Sequence, residues 1–132
     1  MHLRVRYVEC DMQGRAFNGH YLTWIDMAHT EAMREVAGSF AVFAERGIDF
    51  VVAAADLQFR QPARFDDELV IEIAIEPPGR TSLRSRYRIV RDGEVIAEAT
   101  MIHVCVDAAT YLKQPWPDWF RERLAQAGPA HS

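Results

Sequence analysis

The chain has 132 residues, of which 49% are apolar and 26% are charged, a composition typical of a soluble globular protein. A formal net charge of −4 weighs against nucleic-acid binding, because affinity for phosphate backbones depends on clustered Lys and Arg side chains. There is no run of 18 apolar residues and no basic leader before an apolar segment, so we expect no membrane span and a cytoplasmic location. By its length, residues 1–132 should form one domain.

The chain begins with a strand pattern and then changes to a helical one. Leu3, Val5 and Tyr7 alternate with polar residues, which is the period of a half-buried strand. From about His20, apolar residues recur at helical spacing. They are Tyr21, Ile25, Ala28, Ala32 and Val36, widened by Leu22, Trp24 and Met33. We therefore predict one long helix that is covered on several sides.

The segment between this strand and this helix places a carboxylate near a helix start. Asp11 precedes Asn18 by seven residues. The first amides of a helix lack intrahelical acceptors and carry about half a positive charge, so they can stabilise an oxyanion. The pairing suggests acyl transfer or hydrolysis. A structural role stays open at this point, because Asp-x-x-Gly is a common turn and Asn is a favoured helix cap.

The rest of the chain alternates as strands do. Gly38-Ser39 should interrupt the helix, and a shorter helix over 41–44 should end at Gly47. Four strands follow, separated by turns at Pro62, at Pro77-Pro78-Gly79 and at Asp92-Gly93. They cover 50–60, 69–76, 83–89 and 95–106.

This order of elements predicts an α+β fold. A curved antiparallel five-stranded sheet has one apolar face to cover, and the long helix is the only element large enough to cover it. The composition of 115–118, Pro-Trp-Pro-Asp, predicts a short C-terminal helix packed on the sheet. Cys10 and Cys105 show no CxxC or Cys/His spacing, so we expect no metal site.

Two blocks of residues resemble a known family. The first is Asp11-x-x-Gly14-x-x-Phe17-Asn18-x-x-Tyr21-x-x-Trp24, and the second is Leu57-x-Phe59-x-x-Pro62-Ala63-x-Phe65-Asp66-Asp67-Glu68-Leu69. Together they resemble the 4-hydroxybenzoyl-CoA thioesterase family of hotdog-fold acyl-CoA thioesterases, over most of the chain. The resemblance implies a sheet curled round a central helix, in agreement with the pattern of elements.

The resemblance also implies an activity, the hydrolysis of an acyl thioester to a free acid and CoA. Asp11 would be the nucleophile or general base, and the Asn18 backbone amide would polarise the thioester carbonyl. Relatives often have Tyr or His at position 18 and Asn at position 20, a departure that bears more on the acyl group accepted than on a backbone donor. His20 is a further catalytic candidate, because it lies at the helix start beside the proposed oxyanion site and histidine titrates near neutral pH, and a capping or lining role stays open. Substrate contacts are expected from the loop and the first helical turns, at Gly14, Phe17, Gly19, Tyr21 and Trp24.

The family holds the CoA phosphates at the start of the fourth strand, which here points to Arg80, Thr81 and Ser82. CoA is part of the substrate, so no separate cofactor is expected. The thioester could be carried by CoA or by an acyl-carrier protein. The family joins two sheets edge to edge, so we expect a homodimer or homotetramer.

Other titratable residues are interpreted structurally. His29 and His103 should be helix-face and strand-face residues, and Glu9 should pair with a nearby Arg rather than share a proton with Asp11. Arg84, Arg86 and Arg88 have the period of a solvated strand face.

Two other functions remain open from the sequence. One is a hotdog dehydratase or cyclase acting on a thioester-bound chain, for which His20 and Asp11 could supply the required pair. The other is a non-catalytic acyl-CoA binding module, in which Asp11 would be dispensable.

Overall fold

A computed structural model describes residues 1–127 and 130–131. The elements in chain order are β1 (His2–Arg4), α1 (Asn18–Ala37), α2 (Ala41–Glu45), β2 (Ile48–Phe59), β3 (Glu68–Ile75), β4 (Ser82–Arg91), β5 (Glu94–Asp107), α3 (Asp118–Ala127) and β6 (Ala130–His131). One 3₁₀ turn, Tyr7–Glu9, lies between β1 and α1. The predicted α+β order of one strand, one long helix and four further strands is confirmed, with β6 as an unpredicted two-residue addition.

The strands form one antiparallel sheet in the order β1-β3-β4-β5-β2, and β6 pairs with β3. The β4–β5 hairpin closes at Asp92-Gly93, between the paired residues Arg91 and Glu94. Asp92 and Gly93 have φ values of 51° and 78°, and positive φ at both positions is what a type I′ turn requires. The predicted hairpin is therefore confirmed.

Helix α1 covers the inner face of the sheet. Its buried side chains include every member of the predicted core stripe and also Trp24 and Met33. Inward-facing residues of β3, β4 and β5 complete the core, among them Ile71, Leu83 and Met101. The helix ends at Gly38, whose φ of 82° is the left-handed conformation favoured at this position. Leu22, predicted to widen the stripe, is instead 41% exposed.

The predicted first strand is longer than the observed one. β1 ends at Arg4, and Tyr7 is 80% exposed in the 3₁₀ turn instead of alternating into the core. The Arg6 N–H donates to Glu9 Oε1 at 2.8 Å, and the Cys10 N–H donates to the Tyr7 carbonyl at 3.0 Å. These donors are thus used inside the turn and are not available to a neighbouring strand.

Strand β2 also departs from the predicted alternation. Residues 51–56 are exposed along their length, and Phe59 is 49% exposed. β2 is an outer strand of the sheet, paired with β5 on one side. It therefore presents a long apolar edge, with Val51 at 37% and Val52 at 51% exposure.

The opposite edge is built differently. β1 has three residues, and Arg4 forms ion pairs with Asp66 and Glu68. Short, charged edge strands discourage pairing with another sheet, whereas a long apolar edge invites it. The two edges thus have opposite tendencies to pair.

The three arginines of β4 lie on the outer face, as predicted, but they are ion-paired rather than simply solvated. Arg88 lies 2.7 Å from Glu72, while Arg84 and Arg86 lie 3.5 and 3.6 Å from Glu76. All three arginine side chains are more than half exposed, so each pair contributes about 1 kcal/mol or less.

The predicted C-terminal helix is confirmed as α3, and aromatic rings connect it to the core. Trp116 stacks on Phe120 with centroids 4.6 Å apart, and Phe43 of α2 lies 5.9 Å from Phe120. Arg123 donates to the Ala37 carbonyl at 2.7 Å, which satisfies an acceptor at the end of α1. α3 therefore fixes the C-terminal end of the central helix.

Candidate active site

The loop between β1 and α1 is a compact, backbone-bonded unit. Cys10 and Ala16 form an antiparallel bridge, and the Asp11 N–H donates to the Arg15 carbonyl at 2.8 Å. Gly14 has a φ of 74°, a conformation that most other residues adopt only with strain. The Ala16 N–H donates to the Ala63 carbonyl at 2.8 Å and ties this loop to the turn between β2 and β3.

Asp11 lies at the exposed tip of this loop with its two oxygens in different surroundings. Oδ1 accepts N–H groups from Gln13 at 2.8 Å and Arg15 at 3.3 Å. Oδ2 accepts no hydrogen bond from the part of the chain that the structure describes. One oxygen therefore orients the carboxylate, and the other is available to a reactant.

The start of α1 offers free backbone donors. The N-cap residue is Phe17, which has no side-chain capping bond, so the capping role considered for Asn18 is wrong. The His20 N–H donates to the Phe17 carbonyl at 3.0 Å, while the amides of Asn18 and Gly19 donate to none of the described residues. Two unpaired amides at the positive end of a helix can donate hydrogen bonds to an oxyanion or a polarised carbonyl oxygen.

Asp11 and Asn18 line one pocket of about 360 Å³. The other lining residues are Gln13, Arg15, Ala16, Tyr21, Phe59, Arg60, Gln61 and Pro62. Tyr21 is only 2% exposed, and its hydroxyl accepts the Ala63 N–H at 2.8 Å. Burial raises the pKa of Tyr21, so its hydroxyl stays protonated at neutral pH.

The structure therefore brings together Asp11, Asn18 and Tyr21 among the predicted site residues. Gly14, Phe17, Gly19 and His20 surround the loop and the helix start without lining this pocket. His20 lies edge-on to Phe17, with ring centroids 6.2 Å apart. Trp24 is 1% exposed in the core and points to Glu9 instead.

Sequence reasoning did not select the wall supplied by 59–62. This segment begins at the last residue of β2. Arg91 of β4 holds its second half by donating to the Pro62 carbonyl at 2.9 Å and to Gln61 Oε1 at 3.1 Å. The same guanidinium lies 2.7 Å from Asp67. The second block of residues that resembles the family contains Pro62 and Asp67. It was the feature of the sequence that could have indicated this side of the pocket.

Glu9 is the carboxylate that the site buries. It lies two residues before Asp11, and its side chain is 4% exposed. Trp24 Nε1 donates to Oε2 at 2.7 Å, and the Arg6 guanidinium lies 3.4 Å from the same oxygen. The predicted ion pair between Glu9 and a nearby arginine is confirmed.

The residues predicted to bind CoA lie at the other end of the sheet. Ser82 pairs with Val104 of β5, whereas the pocket residue Phe59 pairs with Ala97, which faces Ile89 on β4. At about 3.3 Å per residue, Ser82 and Ile89 are roughly 23 Å apart along β4. One chain therefore does not bring Arg80, Thr81 and Ser82 to its own Asp11.

A second polar group lies inside the core, away from the pocket. His29 of α1 and His103 of β5 are 3% and 2% exposed, and their rings stack with centroids 3.8 Å apart. Their predicted placement on a helix face and a strand face is confirmed, and both faces point inward. Burial lowers the pKa of His29 to about 3, with the charge of His103 adding to the effect, and burial lowers the pKa of His103 to about 4.

Within residues 1–127 and 130–131, no helix is both long enough and apolar enough to cross a membrane. The same residues contain no group of three or more His, Cys, Asp or Glu side chains that could hold a metal ion.

A central helix covered by an antiparallel sheet is the hotdog arrangement, and in this chain Asp11 and Asn18 line one pocket at the start of that helix. The family model described as the thioesterase-like superfamily matches residues 5–124. The chain belongs to this family. The predicted family, the hotdog fold and the class of enzyme are thereby confirmed.

Individual relatives agree with this assignment. The acyl-CoA thioester hydrolase YbgC of Escherichia coli O6:H1 is 36% identical over 107 residues, 80% of this chain and 79% of that protein. The long-chain acyl-CoA thioesterase FadM of Escherichia coli K12 is 27% identical, over 94% of this chain and 95% of that protein. The solved structure of a hypothetical protein, TT1821 from Thermus thermophilus, superposes with a TM-score of 0.89 at 24% identity, covering 97% and 98% of the two chains.

Proposed function

We propose that the protein hydrolyses acyl-CoA thioesters, with Asp11 as the reacting carboxylate and the Asn18 amide as the oxyanion donor. The observation that carries this proposal is the shared pocket: Asp11 and Asn18 line it together, and the amides of Asn18 and Gly19 are unpaired among the described residues. The names of YbgC and FadM, both acyl-CoA hydrolases, support CoA as the thiol.

In the proposed reaction the thioester carbonyl oxygen lies against the Asn18 amide. Asp11 Oδ2 takes a proton from water as the water oxygen bonds to the carbonyl carbon, and negative charge develops on the carbonyl oxygen. The C–S bond then breaks, and the departing thiolate takes the proton from Asp11. Alternatively Oδ2 itself bonds to the carbonyl carbon, the C–S bond breaks and CoA leaves as the thiolate, and water then opens the mixed anhydride to give the free acid and the Asp11 carboxylate, with the proton released from water going to the thiolate. In a single turnover in oxygen-18 water, label in Asp11 would identify the anhydride route, because the base route leaves the Asp11 oxygens unexchanged.

The helix-start amides are expected to supply a large part of the rate. One such donor is typically worth about 3 to 4 kcal/mol of transition-state stabilisation. Tyr21 and Phe59 give the pocket an aromatic wall against which an acyl group can pack. His20 does not line the pocket with Asp11, so the His and acid pair required for dehydration has no support.

A homodimer completes the site in this proposal. Two β2 edges paired antiparallel across a twofold axis would set the Ile48 end of one protomer beside the Phe59 end of the other. Ser82 at the start of β4 pairs with Val104 of β5, which pairs with Val51 near the Ile48 end of β2. The start of β4 would therefore approach the partner's pocket. The exposed Val51 and Val52 support this edge as the interface.

The activity test measures thiol release from aromatic, short-chain and medium-chain acyl-CoAs. The native protein should release thiol from at least one of them, and Asp11→Asn should abolish the release while the protein remains folded. Full activity in Asp11→Asn would remove Asp11 from the mechanism. No release by the native protein from any substrate would contradict the proposed activity.

The Asn18 amide can be tested separately, because Pro is well tolerated at the first position of a helix. Phe17 already has the extended conformation that precedes a proline, with φ −65° and ψ 139°. Asn18→Pro removes the N–H and should lower kcat about 10²- to 10³-fold. Asn18→Ala keeps the N–H and is the matched control, with near-native kcat expected. Equal activity in the two variants would contradict the donor role.

The interface is tested by light scattering. Val52→Lys places a charge on the exposed β2 edge and should convert a dimer into monomers. Leu112→Lys alters a residue that is 69% exposed outside that edge and should leave the mass unchanged. A native monomer at micromolar concentration would count against the two-protomer site.

A further inference from the structure

Glu9 has the contacts of a residue that fixes the geometry of its neighbours. Carboxylates are almost never buried without partners, and this one accepts three donors. The Arg6 N–H donates to Oε1 at 2.8 Å, and Trp24 Nε1 donates to Oε2 at 2.7 Å. The Arg6 guanidinium adds a third contact at 3.4 Å. Burial opposes ionisation, but these hydrogen bonds outweigh it and lower the pKa of Glu9.

The main chain of Glu9 makes a second connection to the same helix. Its carbonyl accepts the N–H of Phe17, the residue before Asn18, at 2.8 Å. Its side chain reaches Trp24 in the second turn of α1. One residue is therefore bonded to the helix start through its backbone and to the helix body through its carboxylate.

Asp11 lies two residues further along, on an exposed loop for which the described residues show no comparable side-chain link to α1. Among those residues, the donors to its own carboxylate are N–H groups of that loop, from Gln13 and Arg15. The distance between Asp11 Oδ2 and the Asn18 amide thus depends on how the loop is attached to the helix. Misplacement of reacting groups by about 1 Å can cost on the order of 10²-fold in rate.

We propose that Glu9 is a positioning residue for thioester hydrolysis, and that its ionised carboxylate sets Asp11 against the Asn18 amide by binding Trp24. Glu9 does not line the pocket and does not touch the substrate in this proposal. Its contacts with Trp24 and Phe17 hold it to the helix, and the backbone from Glu9 to Asp11 then fixes where Asp11 lies. The inference rests on the proposed roles of Asp11 and Asn18.

Two substitutions break the same hydrogen bond from opposite sides. Glu9→Gln keeps the shape of the side chain but loses its charge and sets an amide N–H₂ group among three donors. Trp24→Phe keeps an aromatic ring in the core and removes the indole N–H. Each should lower kcat about 10- to 100-fold with KM changed less than about threefold, because binding contacts remain and alignment is lost. The double variant should be no slower than the slower single variant, since both changes remove one interaction.

Leu124→Ala is the matched control for stability. Leu124 is 6% exposed on α3, outside the loop and the pocket, and its truncation should lower Tm while leaving kcat at native level. Measurements below the Tm of every variant compare folded proteins. If Glu9→Gln does not fold, Trp24→Phe alone carries the test.

The outcomes distinguish this inference from the proposed function. Native kcat in Trp24→Phe and in any folded Glu9→Gln, with Asp11→Asn inactive, would overturn the role of Glu9 and leave the reaction intact. A raised KM with native kcat would equally overturn it, because that pattern indicates lost binding. Full activity in Asp11→Asn would instead overturn the proposed function, and the role of Glu9 with it.

Discussion

Two polar groups are buried against α1, and they have opposite electrostatic states. Glu9, near the helix start, accepts hydrogen bonds from Trp24 and Arg6, and its pKa is lowered so that it stays charged. The His29–His103 pair lies further along the helix. His29 Nε2 and His103 Nδ1 have no hydrogen-bond partner among the residues that the structure describes, and both rings are held neutral.

The difference between Glu9 and the histidine pair shows that burial alone does not decide whether a side chain is charged. Desolvation opposes the charged form at both places, and the supply of donors or acceptors determines which form survives. Glu9 has three donors, whereas His29 has the Tyr87 hydroxyl at 3.5 Å and a second imidazole stacked on it. The charged Glu9 lies beside the loop that carries Asp11, and the neutral histidine pair lies in the packed core.

The two groups should also lose their stabilising states in different pH ranges. Both histidines have folded pKa values below the ordinary 6.5, so the unfolded chain binds protons first and stability falls as pH drops from 6.5. The Glu9 contribution is present above the ordinary carboxyl pKa of 4.5 and is lost as pH falls through its lowered folded value. As the pH falls, the histidine pair in the core should therefore lose its contribution to stability before Glu9 in the loop does.

Acid unfolding is the largest expected effect. The histidine pair should cost on the order of 6 kcal/mol of unfolding free energy between pH 7 and pH 4, much of the stability of a typical domain. Between pH 6 and pH 5 the unfolded chain should bind nearly two more protons than the folded protein, a slope of about 2 to 3 kcal/mol of unfolding free energy per pH unit. Denaturant titrations at pH 7, 6, 5.5 and 5 measure this slope. A flat profile above pH 5 would contradict the neutral pair.

Removing one imidazole of the histidine pair should have a smaller effect on the pH dependence of the unfolding free energy than acid has on the native protein. His29→Leu fills a similar apolar space and deletes one titrating group, so the slope of the unfolding free energy between pH 6 and pH 5 should fall to roughly half its native value. We expect stability within about 1 to 2 kcal/mol of native at pH 7 and above native at pH 4.5. Parallel denaturant curves at the two pH values test this crossover, and an unchanged slope would assign the acid sensitivity to other groups.

The smallest effect is expected from the exposed partner of Glu9. The Arg6 side chain is 72% exposed, so Arg6→Ala removes a screened ion pair and keeps the backbone N–H that donates to Oε1. The unfolding free energy should fall by less than about 1 kcal/mol. Thermal melts at low and high salt are the measurement. A larger loss would mean that the guanidinium, and not Trp24 and the backbone, keeps Glu9 charged.

Much of the fold follows from the sequence because its periodicities are strong. The helical spacing from Tyr21 to Val36 and the alternation in β3 and β4 depend on local geometry alone. The predicted length of the first strand was wrong, because Glu9 accepts the Arg6 N–H and closes a turn. An alternating pattern of residues does not indicate such a turn. Leu22 was predicted to widen the buried stripe of the helix, although nothing among the described residues fully covers it.

The site was predictable only in part. Asp11 and Asn18 follow from one short segment, so their proximity can be inferred from the chain itself. The wall at 59–62 depends on Arg91, which reaches it from β4, and no local pattern contains that contact. The histidine pair joins α1 to β5, and each member occupies an ordinary inward position. Only the packing of the two elements brings their rings together.

The Asp92-Gly93 turn has a consequence for the order in which the chain folds. It joins β4 and β5 directly, so this pairing closes a very short loop, whereas β1 must find β3 across more than 60 residues, as in the pair Leu3 and Leu69. Short loops close at the lowest entropic cost, and the hairpin should form in the folding nucleus. Gly93→Ala strains a φ of 78° and should slow refolding in stopped-flow measurements, while weakening β1 should chiefly speed unfolding. The hairpin would then be the template on which β2 and β3 assemble.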